Sequence, residues 1–152
     1  MTKFDREMGK LTNQHKEDEK RDKHRRIDVL VVERPNQNGE LIYEVSVDQY
    51  DHWVAQGTKD VEIEWGLVHG NQKYVGWEFD YGPNDDQEPI SFVDRATNLP
   101  ATKGVFTVTK RKPKTYTVLN SGAGRDYKYT IRCKNEALGL TAELDPFISN
   151  GR

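Results

Sequence analysis

The stretch Val61-Glu62-Ile63-Glu64-Trp65-Gly66-Leu67 and the stretch Tyr74-Val75-Gly76-Trp77-Glu78-Phe79-Asp80 both place large apolar residues at every second position. Successive side chains of a strand point to opposite sides, so a period of two marks a strand with one buried face. Gly70-Asn71-Gln72 lies between the two, so the expected unit is a hairpin with a three-residue loop. In that register Trp65 faces Trp77, Ile63 faces Phe79 and Leu67 faces Val75, which gathers the apolar residues on one face. The same register sets Glu64 opposite Glu78 and Glu62 opposite Asp80. Like charges directly opposite each other cost roughly 0.2–1 kcal/mol per pair. Glu62, Glu64, Glu78 and Asp80 are therefore the candidate binding face, for a hard cation or a basic segment. The plain alternative is a solvated face screened by salt.

The alternation continues outward from this pair. Ile27–Glu33 is rich in valine, and Leu41–Asp48 puts Leu41, Tyr43, Val45 and Val47 on one side, with Pro35 and Asn38-Gly39 as turn residues between. Later come Ile90–Val93, Val105–Thr109, Thr115–Leu119, Tyr127–Cys133 and Leu140–Leu144. A helical turn is expected only near Gln49–Ala55. Eight or nine short strands with regular turn signals predict an all-β protein, a single antiparallel β-sandwich of immunoglobulin-like or cupredoxin-like architecture.

The first 26 of the 152 residues differ from the rest. They hold nine basic and six acidic residues, net +3, against 14 and 19, net −5, in residues 27–152. Residues 12–26 contain no apolar side chain to bury. Residues 1–26 are read as a charged arm, disordered or a solvated helix, and residues 27–152 as the folded domain. No apolar run approaches the roughly 20 residues of a membrane span. The opening MTKFDREMGK lacks a signal-peptide core and Cys133 is the single cysteine, so the expected compartment is the cytoplasm.

The residues that could carry chemistry do not assemble into a known pattern. His15, His24, His52 and His69 are dispersed, and neither histidine nor methionine follows Cys133, so a blue-copper ligand set is excluded. No serine sits in a G-x-S-x-G elbow, and Gly122-Ala123-Gly124 lacks the third glycine of a dinucleotide fingerprint. Asp80, Asn84, Asp85, Asp86 and Glu88 miss the spacing of an EF-hand loop. Lys110, Arg111, Lys112 and Lys114 lie near Tyr116, Tyr127 and Tyr129, but the acidic body argues against a nucleic-acid groove. Trp65, Trp77 and Cys133 are read as core, leaving Trp53 as the uncommitted aromatic.

The ending Leu144-Asp145-Pro146-Phe147-Ile148-Ser149-Asn150, preceded by the tyrosine-alternating Tyr127–Ile131, resembles that of the DP-EP family of small uncharacterised bacterial proteins. More distantly it is similar to the inclusion-body protein family, and Ile27–Val32 fits the first strand of both. The resemblance spans residues 27–150 and implies a β-sandwich with no established biochemical role. The expected function is thus a non-enzymatic interaction or self-assembly module that contacts a protein partner or a second copy. The other class kept open is a small-ligand or carbohydrate-binding module using Trp53 and loop tyrosines. No catalytic residue, cofactor, metal, nucleic acid or membrane enters either reading.

Overall fold

A computed structural model describes residues 23–54, 60–68, 76–121 and 124–150. Within them the chain forms eleven strands and no helix. These are β1 (His24–Pro35), β2 (Leu41–Val47), β3 (Asp51–Val54), β4 (Val61–Leu67), β5 (Glu78–Phe79) and β6 (Ile90–Asp94). β7 (Phe106–Arg111), β8 (Thr115–Asn120), β9 (Asp126–Asn135), β10 (Leu140–Leu144) and β11 (Phe147–Asn150) follow. They make two sheets whose inner faces meet, the all-β sandwich that the alternation predicts.

The first sheet has the order β2-β1-β4-β8-β7. The second is built on β9, with β10 and β11 successive along one edge, β5 and β6 along the other, and β3 beyond β11. Most pairs are antiparallel, but β1–β4 and β11–β3 are parallel. The parallel pairs follow from the path of the chain. After the β1–β2 hairpin it crosses to the second sheet as β3 and returns as β4, so β4 runs beside β1 in the same sense. The β1–β2 turn sits where the sequence places it. Gly39 holds a positive φ of 80°, and Asn36 Oδ1 accepts from the backbone N–H of Asn38 and Glu40 at 2.9 and 3.0 Å.

Two expectations are corrected at this level. The hairpin of Val61–Leu67 with Tyr74–Asp80 does not form, because β4 is paired on both edges, by β1 and β8. Trp65 lies opposite Tyr116, and Glu78 and Phe79 pair instead with Lys134 and Cys133 of β9. The proposed loop and Tyr74–Val75 lie outside the described residues. The helical turn near Gln49–Ala55 is instead β3, whose four residues are too few to show a period. Residues 1–22 of the arm also lie outside the described residues, but His24, Arg25 and Arg26 belong to β1 and pair with Glu62, Ile63 and Glu64.

The core is aromatic where the sheets meet. Trp65 is fully buried, donates from Nε1 to the Tyr129 hydroxyl at 3.2 Å, and stands 5.3 Å from that ring. Trp77 is buried against Tyr43 at 5.5 Å, and Phe92 stacks on Phe106 at 3.9 Å. Cys133 is fully buried, and desolvation, with Asp80 nearby, pushes its thiol up to about 12, which keeps it protonated at neutral pH.

The ending closes the second sheet. Pro146 donates no hydrogen bond, yet its carbonyl accepts from Tyr129 N–H at 2.9 Å, which carries β10 into β11 along β9. Ile148 is fully buried, and Asn150 accepts from Asn120 Nδ2 while its own Nδ2 donates to the Arg125 carbonyl. Ile148→Ala should therefore cost about 2–5 kcal/mol. A denaturation midpoint within the roughly 0.5 kcal/mol of surface changes would show that β11 is not part of the core.

Candidate functional site

The four carboxylates do not share a face. Glu62 and Glu64 stand on the outer side of the first sheet, whereas Glu78 and Asp80 belong to the second. The quartet rested on the hairpin register, and it is corrected with it. Burial of Trp65 and Trp77 is equally well satisfied from two facing sheets, so the apolar pattern did not determine which strands are neighbours.

Glu64 instead sits among cations. Its side chain is 14% exposed and takes Arg26 Nη1 at 2.8 Å, Lys110 Nζ at 3.5 Å and His24 Nε2 at 3.9 Å. Burial alone pushes its carboxyl up, but Arg26, His24 and Lys110 together hold it below the usual range. Gly66 leaves the room for this arrangement, since a Cβ there would stand 1.9 Å from Arg26 Nη2. The register shift between Val108 and Lys110 sets Lys110 opposite Thr117, in one row with Glu64 on the outer side.

Arg111 of the basic run packs on the acidic loop. Arg111 donates to Glu88 and to the carbonyls of Asp85 and Gln87, and lies 4.6 Å over the Tyr81 ring. Tyr116 donates to Glu88 Oε2 at 2.8 Å. Burial and that carboxylate drive its phenol pKa far upward, and burial pushes Tyr81 up to about 12. Tyr116, Tyr127 and Tyr129 are all buried, so they offer no stacking platform. Asp80 accepts from Gly82 N–H and lines a 410 Å³ cleft with Tyr43, Arg132 and Glu143.

A different face carries exposed aromatic surface. Among the described residues four large hydrophobic side chains are exposed, and the two aromatic ones, Tyr50 and Trp53, each at 50%, lie at one place. On β3 the burial alternates, with His52 and Val54 inward and Asp51 and Trp53 outward. Tyr50 donates from its hydroxyl to the Asp145 carbonyl at 3.0 Å and meets the edge of Phe147 at 5.5 Å. Arg95 lies 4.6 Å over the Phe147 ring and also lines a 580 Å³ cavity with Asp94, Ala96, Gly124, Arg125 and Asp126. Asp94 is held ionised chiefly by its hydrogen bond from Arg125 at 2.7 Å. Of this surface the sequence reading contained Trp53 alone. Tyr50 falls in the expected helical turn, and Phe147 enters the sequence reading only as part of the ending that carries the resemblance.

Behind Trp53, β3 buries a histidine. Gln49 Nε2 donates to the Arg26 carbonyl at 3.1 Å, so its Oε1, 2.6 Å from His52 Nδ1, requires the proton on Nδ1. His52 Nε2 and Arg25 Nε are buried without a hydrogen-bond partner. Burial first and Arg25 second lower His52 to about 4, with Asp51 opposing.

The chain matches no protein-family model and no curated protein. Among the described residues no group of three or more His, Cys, Asp or Glu could hold a metal ion, and no helix is long and apolar enough to cross a membrane.

Two outcomes follow from this geometry. Glu64→Gln should destabilise the fold by about 1 kcal/mol at low salt, read as a lower urea midpoint; relief of repulsion within an acidic quartet would give the opposite sign. For His52, the unfolded chain takes up a proton near pH 6.5 that the native state refuses until about pH 4. Its contribution is full above 6.5 and is lost as the pH falls to about 4, by roughly 3 kcal/mol. That part of the stability profile should disappear in His52→Leu, and an identical pH dependence in both proteins would refute the buried neutral imidazole.

Proposed function

We propose that the domain is a non-enzymatic interaction module of the cytoplasm that holds a ligand on the outer face of its second sheet. The observation that supports this is the pair of half-exposed rings, Tyr50 and Trp53, on and beside β3, while Trp65 and Trp77 are buried. Exposed aromatics gathered at one place, and fixed before binding, mark recognition surfaces rather than random exposure. The nearby Ser149 hydroxyl is fully buried and is not arranged as a nucleophile. Ser149 Oγ donates to Asp51 Oδ1 at 2.6 Å, while His52 points to the opposite side of the strand and cannot act as its base. The resemblance to the DP-EP proteins belongs to the same reading, since it implies a sandwich without a known reaction. The lone, buried Cys133 suits a reducing compartment.

The test uses Trp53 as its own reporter, because it is the exposed one of the three tryptophans. In a panel of saccharides, peptides and nucleotides, a compound that binds should shield Trp53 from acrylamide quenching. Its affinity should fall at least about tenfold, 1.4 kcal/mol, in Trp53→Ala or Tyr50→Ala. Binders that are indifferent to both substitutions would place the contact surface elsewhere.

A further inference from the structure

We infer that the ligand of this face is a neutral saccharide, an inference that rests on the reading of the face as a binding surface. Three properties of the surface select that chemistry. The first is the order of groups at β3, where Asp51 and Trp53 face outward in alternation with the buried His52 and Val54, and the half-exposed Tyr50 precedes the strand against Phe147. The π face of an aromatic ring is its negative side. It attracts the polarised C–H face of a pyranose, while the carboxylate beside it accepts from the hydroxyls on the ring's edge.

The second property is unused acceptor capacity. Asp51 Oδ1 is engaged by Ser149 and Asp145 Oδ1 by Thr130, each at 2.6 Å. Neither residue's Oδ2 takes a side-chain hydrogen bond or ion pair among the described residues, and an ionised carboxylate offers about four acceptor sites. Donor-rich ligands fill such sites. An apolar protein surface laid over Trp53 and Tyr50 would instead desolvate both carboxylates without replacing their water.

The third is charge. Among the described residues around this face Asp51, Asp94, Asp126 and Asp145 stand against Arg95, Arg125 and Lys128, a balance of minus one, as the whole chain is minus two. That balance favours an uncharged ligand over phosphorylated ligands, nucleic acid and acidic sugars. Arg95, held over Phe147 at 4.6 Å, donates no hydrogen bond from its guanidinium to another described residue. It is placed to donate to a hydroxyl at the mouth of the 580 Å³ cavity. The Arg95 guanidinium over Phe147 and the ring of Trp53 belong to positions two residues apart along paired strands, about 7 Å in that direction, so a ligand that meets both extends along the strands. The face thus suits a short oligosaccharide better than a single sugar.

The full chain is titrated with neutral oligosaccharides (cello-, malto-, xylo- and chito-oligomers) and with oligogalacturonates of matched length, read by tryptophan fluorescence and calorimetry. At least one neutral series should bind, more tightly as length grows, and acidic oligomers at least about tenfold more weakly. Trp53→Ala should lose binding at least about tenfold, Trp53→Phe should retain part of it, and Asp51→Asn should weaken it severalfold. Unchanged denaturation midpoints separate these losses from misfolding; if Trp53→Ala does not fold, Trp53→Phe and Asp51→Asn carry the test. Acidic oligomers binding as well as neutral ones, or only peptides or a second copy of the chain responding to Trp53→Ala, would overturn the saccharide and leave the face as a binding surface. If no compound responds to substitution at Trp53 or Tyr50, both readings fall.

Discussion

The second sheet depends on the two-edged pairing of β9. Its ten residues alternate without exception between inward and outward positions, with Tyr127, Tyr129, Ile131, Cys133 and Asn135 buried. One edge receives β5 and β6 and the other β10 and β11, so four strands take their register from this one. A slip of one residue would turn two tyrosines and a cysteine to solvent and misplace all four partners at once. The Asp145-Pro146 step is what allows two strands to share one edge. Proline interrupts donation for one position, its carbonyl keeps Tyr129 paired, and Asp145 Oδ1 accepts from Thr130 Oγ1 beside the break.

This explains which parts of the fold were legible in the sequence. Alternation reports whether a side chain is inside, and it did so correctly for Trp65, Trp77, Tyr127, Tyr129 and Cys133. It does not report which strand lies next door. Trp65 and Trp77 fit one hairpin face as well as they fit two facing sheets, and consecutive strands are only the commoner neighbours. Among the described residues six of the nine pairings join strands that are not consecutive, and two of these, β1–β4 and β11–β3, are parallel. The acidic quartet failed for the same reason. Its logic of facing charges was sound, but Glu64 finds cations that come from β1 and β7, far from it in the chain.

The candidate face was less legible than the core. Trp53 could be noticed because the core had no use for it, but Tyr50 and Phe147 gain meaning only when β11 is set beside β3. Nothing local to Phe147 announces that Tyr50 will lie on its edge, since they are joined by a long-range parallel pairing. The same holds for Arg95, which reaches Phe147 from the far side of β9. Charges, by contrast, could be counted from the start. The acidic excess of residues 27–152 persists at the face, where four aspartates outnumber three cations.

Strand β3 finally ties the two sides of the second sheet together. It has four residues and, among the described residues, one strand partner, β11, so its position is secured by what its side chains meet. Inward, His52 is held by Gln49 and must stay uncharged beside Arg25; outward, Asp51 is held by Ser149 and Trp53 stands half-exposed. Successive residues of one strand cannot move independently, because a pleat displaced at His52 carries Asp51 and Trp53 with it. The placement of the exposed rings is therefore set as much by a neutral imidazole in the interior as by their own contacts on the surface.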